Sequence, residues 1–186
     1  MVGLGNPGNR YARTRHNIGF EVAAELTKRW SLPKAKERFG GSITQGAVSA
    51  VAGARVAVIC PETFMNRAGE CVGPARGSLK VPLDRVIVCH DEIDLGFGEV
   101  KTKFDGGSAG HNGLKSLSDG LGGDGFWRVR AGVGRPESTD PETVSAWVLG
   151  RFSESPEQVE SLVAAAADAV EGLIDEFDVE EGRDDP

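Results

Sequence analysis

The chain has 186 residues, of which 39% are hydrophobic, and its formal net charge is −7. No apolar run approaches the ~20 residues of a membrane-spanning helix, and the start lacks the basic and then apolar stretches of a signal peptide. We therefore expect a single cytoplasmic domain that does not enter a membrane. The three cysteines, Cys60, Cys71 and Cys89, show no CxxC spacing, which argues against a disulfide framework or a structural zinc site.

The charge is unevenly distributed along the chain. Residues 1–40 carry eight Lys or Arg against three Asp or Glu, whereas residues 150–186 carry two against twelve. The overall acidity argues against indiscriminate coating of nucleic acid, but the pattern is compatible with a basic working face elsewhere in the molecule.

Strand and helix signals alternate along the chain. In order they predict a short strand at 2–4, a helix at 16–30, paired strands at 42–49 and 55–60 joined by a Gly/Ala turn, a helix at 66–80, strands at 85–90 and 99–104, a short helix from 113, a strand at 127–133 and a helix at 156–177. This order predicts a single α/β domain over 1–177, with a twisted mixed β-sheet flanked by helices. The acidic tail at 178–186 is expected to be disordered.

The first candidate functional residue is His16, which follows the glycine-rich segment Gly3–Gly8. That segment satisfies the GxGxxG pattern, but Pro7 has no amide hydrogen to offer a phosphate. We therefore interpret it as a tight turn in which Gly8 takes a positive φ, and not as a dinucleotide site. Imidazole is the side chain best suited to proton transfer near neutral pH. The next residue, Asn17, offers a hydrogen-bonding amide to a substrate.

A cluster of titratable residues, His90-Asp91-Glu92-Ile93-Asp94, closes the predicted strand at 85–90. Loops after the carboxyl ends of strands are where ligand sites of α/β proteins lie. Successive strand residues point to opposite faces, so His90 and Asp91 are not expected to face one cleft together. Asp91 is the better candidate, as a carboxylate that orients His16. A solvated strand-end acid, or a metal site formed by the cluster, stays open as an alternative.

A second enzyme class is suggested by Gly106-Gly107-Ser108-Ala109-Gly110, which matches the GxSxG pattern of serine hydrolases. The order in α/β hydrolases is Ser, Asp, His, and no histidine follows His111, which comes three residues after Ser108. A hydrolase that uses Ser108 as its nucleophile therefore remains only an alternative.

Two asparagines, Asn66 and Asn112, come just before predicted helices. Each is either the N-cap of its helix or a hydrogen-bonding group for a peptide backbone or an oxyanion. Basic residues occur in pairs on two predicted strands and once on a nearby helix: Lys101, Lys103, Arg128, Arg130 and Lys115. They form either a solvated face or a clamp for a phosphate.

Several segments together resemble the bacterial peptidyl-tRNA hydrolase family. They are Val2–Gly8 with Tyr11 and Thr14–Asn17, Thr63–Asn66, His90–Leu95, Gly110–Lys115 and Arg128–Pro136. The match runs in order from Val2 to about Phe177, and spaced motifs in this order are specific. One departure is the first strand, because the family pattern carries several more apolar residues before the glycine turn.

The resemblance implies a peptidyl-tRNA hydrolase-like, or phosphorylase-hydrolase-like, fold. It also implies hydrolysis of the ester that joins a peptide to the 3′ ribose of tRNA, with His16 as the general base and Asp91 as the group that orients it. Peptidyl-tRNA is the expected partner, no metal or cofactor is implied, and the protein is expected to be a monomer. A non-catalytic RNA-binding module and a metal-dependent amidase are the rival interpretations.

The resemblance also assigns residues to the substrate. Asn112 positions the water or the substrate backbone, and the other substrate-binding residues are Asn6, Tyr11, Met65 and Asn66. The residues assigned to tRNA phosphate are Lys101, Lys103 and Arg130. The glycine-rich segment Gly106–Gly110 is expected to be a mobile gate.

Overall fold

The computed structural model describes residues 1–49 and 53–181. In this part of the chain the strands are β1 (Val2–Gly3), β2 (Lys36–Arg38), β3 (Gly41–Val48), β4 (Ala54–Pro61), β5 (Ile87–Glu92), β6 (Val100–Phe104) and β7 (Trp127–Gly132). The α-helices are α1 (Ile18–Arg29), α2 (Ala68–Leu79), α3 (Asn112–Leu121), α4 (Pro141–Leu149) and α5 (Pro156–Glu181). Short 3-10 turns, Arg15–Asn17 and Met65–Arg67, lead into α1 and α2.

All these strands form one sheet in the order β2-β3-β4-β1-β5-β7-β6. β1 is parallel to β4 and β5, and β5 is parallel to β7. β2, β3 and β4 pair antiparallel, and β6 lies antiparallel to β7 at the other edge. The prediction of a mixed sheet in an α/β domain is therefore confirmed. The parallel strands bring their carboxyl ends to one edge of the sheet, where ligand sites of such folds lie.

Apolar layers cover both faces of the sheet. On one face, Leu4 and Val88 pack with residues of α2 and α3. On the other, Ile87 and Cys89 pack with residues of α1 and α5. Neighbouring residues of β5 thus serve opposite layers, as strand geometry requires. Because β5 is buried along its whole length, its polar end is enclosed by the same layers.

Neither β2 nor α4 is among the elements predicted from the sequence. β2 is exposed at every position, so it has none of the apolar alternation that marks a half-buried strand. α4 buries none of its residues, and its apolar Val144, Trp147 and Val148 are only half-buried.

The final helix extends to Glu181, so its last turn occupies residues that the sequence assigned to the acidic tail. The rest of that tail, 182–186, and the turn expected at 50–52 lie outside the described residues. Among the helices of 1–49 and 53–181, none combines the length and apolar character needed to cross a membrane.

Two close backbone contacts fix the helices that carry the polar edge. A Cβ built on Gly19 of α1 would lie 2.4 Å from the carbonyl oxygen of Cys89. A Cβ on Gly69 of α2 would lie 2.0 Å from the carbonyl oxygen of Ser116 on α3, whose hydroxyl accepts the Gly69 N–H at 3.0 Å. Close-packed interiors leave no room for an added methyl at such distances, so these contacts require glycine.

Replacing Gly69 with Ala should lower the free energy of unfolding by about 1–3 kcal/mol, because the methyl overpacks the contact between α2 and α3. Gly77 is a matched control, since it also lies in α2 but a Cβ built on it meets nothing within 4 Å. Gly77→Ala should raise stability by up to about 1 kcal/mol through helix propensity. Urea unfolding measures both changes, and equal effects would contradict the tight contact.

Candidate active site

A cleft of about 800 Å³ opens at the carboxyl edge of the parallel strands. It is lined by residues that follow β1, end β5, precede α2 and α3, or belong to β6, β7 or α4. Among the lining residues are Asn6, His16, Met65, Asn66, Asp91, Lys103, His111, Asn112 and Arg130. The fold therefore brings most of the residues singled out in the sequence into one site.

Asp91 binds two imidazoles in this cleft through a single carboxylate oxygen. Its Oδ1 lies 2.8 Å from Nδ1 of His16 and 3.0 Å from Nε2 of His111. The residue is only 3% exposed. Burial raises the pKa of Asp91, but the two neighbouring imidazoles lower it by more than burial raises it. The pKa of Asp91 therefore lies well below the usual range. Asp91 is therefore an anion at neutral pH.

The hydrogen bonds of His111 assign its tautomer. Its Nδ1 accepts from the backbone N–H groups of Gly113 at 3.1 Å and Leu114 at 3.3 Å, and so caps α3. In neutral imidazole only one nitrogen carries the proton, so the proton is on Nε2, which donates to Asp91. Both nitrogens of His111 are therefore engaged. This role of His111 is not among those predicted from the sequence.

His16 has one engaged nitrogen and one that is free to react. A carboxylate only accepts, so Nδ1 of His16 carries the proton that is donated to Asp91. The lone pair is then on Nε2, and the ring lines the cleft with 12% of its side chain exposed. This arrangement suits a general base, because the carboxylate orients the ring and stabilises its protonated form.

His90 contacts the site from the other face of β5. Its Nδ1 donates to the backbone carbonyl of Asp91 at 2.7 Å, and its ring centroid lies 5.0 Å from that of His111. Burial, and then the proximity of His111, lowers the pKa of His90 to about 3. His90 is therefore neutral near pH 7. The expectation that His90 and Asp91 do not face one cleft is wrong, because the cleft opens at the end of β5 and both residues line it.

The cluster that ends β5 does not form the metal site considered from the sequence. Glu92 and Asp94 each pair with an arginine, at 2.9 and 2.7 Å. The groups that converge instead are His16, Asp91 and His111, whose candidate ligand atoms lie within 4.8 Å of one another. They do not fit a cation as arranged, because Nε2 of His111 carries a proton while its Nδ1 accepts two N–H groups.

Asn6 reaches the cleft from the turn after β1. Its Oδ1 accepts the backbone N–H of Met65 at 2.8 Å, which leaves the side-chain NH₂ as a donor for the cleft. Asn17 does not offer its amide to a substrate, because its side chain bonds the backbone N–H and C=O of Asn6, each at 2.9 Å. Gly8 has the predicted positive φ, +95°, but the hydrogen-bonded turn begins at this residue, where the N–H of Tyr11 donates to the Gly8 carbonyl oxygen at 3.0 Å.

The two other asparagines, Asn66 and Asn112, are exposed in the cleft lining. Neither is an N-cap, because α3 is capped by His111 and the 3-10 turn that contains Asn66 is preceded by Phe64 at its cap. Their amides are therefore not committed to helix ends, and of the two sequence interpretations the cleft-facing one describes their position.

The apolar wall of the cleft includes Met65, which is 4% exposed. Tyr11 is not among the residues that line the cleft. Its ring packs edge-on against Phe64, with the centroids 6.4 Å apart, and Phe64 itself lines the cleft. Tyr11 therefore supports the wall from behind in this arrangement.

The basic residues of β6 and β7 differ in where they lie and in what they contact. Lys103 and Arg130 line the cleft, whereas Lys101 lies opposite Arg130 in the pairing of β6 with β7. Arg128 is 2% exposed, and its guanidinium donates to the carbonyl oxygens of Gly106–Gly107. Arg128 is thus engaged in holding the glycine-rich segment and is not placed to clamp a phosphate.

Ser108 also lines the cleft, but its hydroxyl forms no hydrogen bond to a base within residues 1–49 and 53–181. The histidine closest to it in the chain, His111, uses one nitrogen to cap α3 and the other to bind Asp91. A serine nucleophile needs a base within hydrogen-bonding reach that can accept its proton. The geometry therefore does not support the serine hydrolase alternative.

The low pKa of His90 predicts a loss of stability in acid. Between its ordinary pKa of 6.5 and its folded value of about 3, the unfolded chain binds a proton at His90 that the folded protein does not. The free energy of unfolding should therefore fall as the pH decreases through this window, by up to about 1.4 kcal/mol per pH unit from His90 alone. Asp91 adds to the loss only below its unfolded pKa of about 3.9.

His90→Asn keeps a hydrogen-bond donor but cannot titrate, so its stability should change less steeply between pH 6.5 and 4. Urea unfolding of both proteins across this pH range makes the comparison. If the free energies of unfolding of the two proteins change with pH in parallel, His90 is not neutral in the folded state.

Comparisons with known proteins identify the family of the chain. The model of the family named peptidyl-tRNA hydrolase matches residues 1–182. Peptidyl-tRNA hydrolase of Mycobacterium avium is 46% identical over 178 residues, which are 94% of this chain and 90% of the relative. That of Geobacillus kaustophilus is 44% identical over 175 residues, 94% of this chain and 91% of the relative. The crystal structure of peptidyl-tRNA hydrolase from Acinetobacter baumannii has a TM-score of 0.82 and 34% identity, and the alignment covers 97% of this chain and 89% of that one. The chain belongs to the peptidyl-tRNA hydrolase family.

Proposed function

We propose that this chain hydrolyses the ester bond of peptidyl-tRNA with His16 as the general base. Its family makes the chain a peptidyl-tRNA hydrolase, and the proposal assigns the chemical steps to residues. The observation that supports the assignment is the shared carboxylate of Asp91, 2.8 Å from His16 and 3.0 Å from His111. Of the ring nitrogens of His16 and His111, only Nε2 of His16 is left free to take a proton.

The reaction begins when Nε2 of His16 takes a proton from a water molecule, whose oxygen attacks the carbonyl carbon of the ester. The imidazolium that forms is stabilised by the Asp91 anion. The tetrahedral intermediate then breaks its bond to the ribose 3′ oxygen, which receives the proton from His16. The products are a peptide with a free carboxyl group and a tRNA with a free 3′ hydroxyl, and His16 is neutral again.

Three asparagines of the cleft are assigned to the ester and the water. The side-chain NH₂ of Asn6 is a donor held in place through Met65, and the exposed amides of Asn66 and Asn112 face the same cleft. An amide that donates to the developing oxyanion contributes roughly 3–4 kcal/mol to the transition state. Asn112 adjoins His111, so we assign it to the water or the substrate backbone.

The basic edge of the cleft is assigned to the phosphates of tRNA. Lys101, Lys103 and Arg130 lie on the paired strands β6 and β7. Nε of Arg130 is held by a carboxylate at 2.9 Å, which leaves its outer N–H groups for a phosphate. Gly106–Gly110 adjoins this edge as the proposed gate, with positive φ angles at both of its end glycines.

We further infer that the protein works as a monomer in the cytoplasm. Every side chain assigned to the reaction comes from one chain, so the site needs no second copy. Peptidyl-tRNA is released by ribosomes that abandon translation, and the enzyme that recycles it has to work in the same compartment.

Asp91→Asn should lower kcat by about 10²–10⁴-fold with little change in KM, because the amide NH₂ can donate to His16 and favour the wrong tautomer. The measurement is the release of an N-blocked aminoacyl group from tRNA at several substrate concentrations. Glu62→Gln makes the same chemical change at an exposed position that does not line the cleft, and it should leave kcat unchanged. An unaltered kcat in Asp91→Asn would remove Asp91 from the mechanism.

The phosphate assignment predicts a defined salt dependence of tRNA binding. With about three phosphate contacts, log K should fall against log salt with a slope of roughly −2 to −3. Lys103→Ala should flatten this slope by about one unit. Lys28→Ala removes an exposed lysine of α1 that does not line the cleft, and it should leave the slope as it is. Fluorescence anisotropy with labelled tRNA measures the slopes, and an unaltered slope for Lys103→Ala would place the tRNA elsewhere.

A further inference from the structure

One wall of the cleft is a helix with little apolar anchoring. α4 contributes Val144, Ser145 and Val148 to the lining, yet none of its residues is buried. A surface helix is normally held in place by an apolar stripe packed on the core. Half-buried apolar residues anchor this wall less firmly than such a stripe, so its other contacts gain importance.

Those contacts converge on Arg15, the residue before His16. The Arg15 guanidinium lies 3.9 Å from the ring centroid of Trp147 in α4 and 5.4 Å from that of Phe152. Its Nη1 donates to the carbonyl oxygen of Arg151 at 2.6 Å. Trp147 in turn donates its Nε1 proton to the carbonyl oxygen of Gly134, at 2.9 Å.

The backbone adds a second connection between the same two segments. The N–H of Arg15 donates to the carbonyl oxygen of Gly150 at 3.0 Å, and Thr14 forms an antiparallel bridge with Arg151. The turn that carries His16 and the carboxyl end of α4 are therefore joined over a sequence separation of 136 residues.

This contact places a guanidinium in an environment that does not favour it. Arg15 is 4% exposed, and burial lowers its pKa, while Glu154 at 3.5 Å raises it. Its Nε has no hydrogen-bond partner among the described residues. Burying a charge with incomplete pairing opposes folding, so simple packing between Thr14 and α4 would be served better by an apolar side chain.

We propose that Arg15 is a positioning residue that holds α4 as the substrate-facing wall of the cleft. The inference deepens the proposed function and rests on it. Arg15 touches no reacting atom and acts through Trp147. Its loss releases α4 from the turn at residues 14–16, whereas the bond between His16 and Asp91 stays intact. Substrate binding should then weaken more than the chemical step slows.

The kinetic test compares Arg15→Met with Arg29→Met in the N-blocked aminoacyl-tRNA assay. Arg29 is a matched control, because its guanidinium binds Glu25 at 2.8 Å, Asp168 at 2.6 Å and Glu171 at 3.0 Å, away from the cleft. Below the melting temperatures of both variants, Arg15→Met should raise KM about 10-fold and lower kcat less than about 3-fold. Arg29→Met should lower Tm without changing KM. Equal KM effects, or none, would overturn the proposal.

A double-mutant cycle shows whether Arg15 acts through Trp147. If it does, Arg15→Met combined with Trp147→Ala should raise KM about as much as either change alone, about 10-fold and not about 100-fold. Trp147→Phe keeps an aromatic ring for the guanidinium, so it should raise KM for the substrate much less than Trp147→Ala does. If the KM effects of the two substitutions multiply to about 100-fold, Arg15 does not act through Trp147.

A spectroscopic measurement separates this proposal from the proposed function. The chain has three tryptophans, so replacing Trp30 and Trp127 with Phe leaves the emission of Trp147 alone. In that background Arg15→Met should shift the emission to longer wavelength, and Arg29→Met should not. This result does not depend on activity: an inactive wild type would overturn the proposed function, whereas an unshifted emission would overturn the role of Arg15.

Discussion

The site depends on one buried carboxylate. Asp91 is the penultimate residue of β5, a strand that is buried along its whole length, and it accepts hydrogen bonds from His16 and His111, which precede two different helices. A buried anion without such partners would strongly oppose folding, so the folded state needs both rings in place. The two rings nevertheless have different roles. The second nitrogen of His111 caps α3, whereas the second nitrogen of His16 is available for the reaction.

Close backbone packing determines where these two rings lie. Glycine at position 19 lets the start of α1 rest directly on β5, and glycine at position 69 lets α2 touch α3. Two asparagines also fix the backbone around the cleft. The side chain of Asn17 forms hydrogen bonds to the backbone of Asn6, and the side chain of Asn6 accepts one from the backbone of Met65. The side-chain amide of Asn6 is therefore oriented by a backbone hydrogen bond, which keeps this donor in place before a substrate binds. Arg15 extends this support to α4, a wall of the cleft whose residues are not buried.

How much of this could be predicted from the sequence depends on the range of the interactions. The α/β sheet is predictable from apolar periodicity. His16 and Asp91 are predictable as site residues because one is a titratable group beside a glycine turn and the other lies at the end of a strand. The capping role of His111 was not predictable, since it depends on a side-chain conformation in a segment that resembles an ordinary helix start. β2 is exposed at every position, so it carries no periodic signal, and α4 is a short helix that buries none of its residues. The contacts of Arg15 and the buried anchor role of Arg128 join segments that only the tertiary fold brings together.

The most direct test of the account is the release of N-blocked aminoacyl groups from tRNA by the wild type and by His16→Ala, with EDTA present. The account predicts that the wild type is active and unaffected by EDTA, and that His16→Ala still binds tRNA but loses about 10²–10⁴-fold in kcat. Activity that survives in His16→Ala would contradict the assignment of the general base. Loss of wild-type activity in EDTA would contradict a reaction carried by the His16–Asp91 pair without a metal.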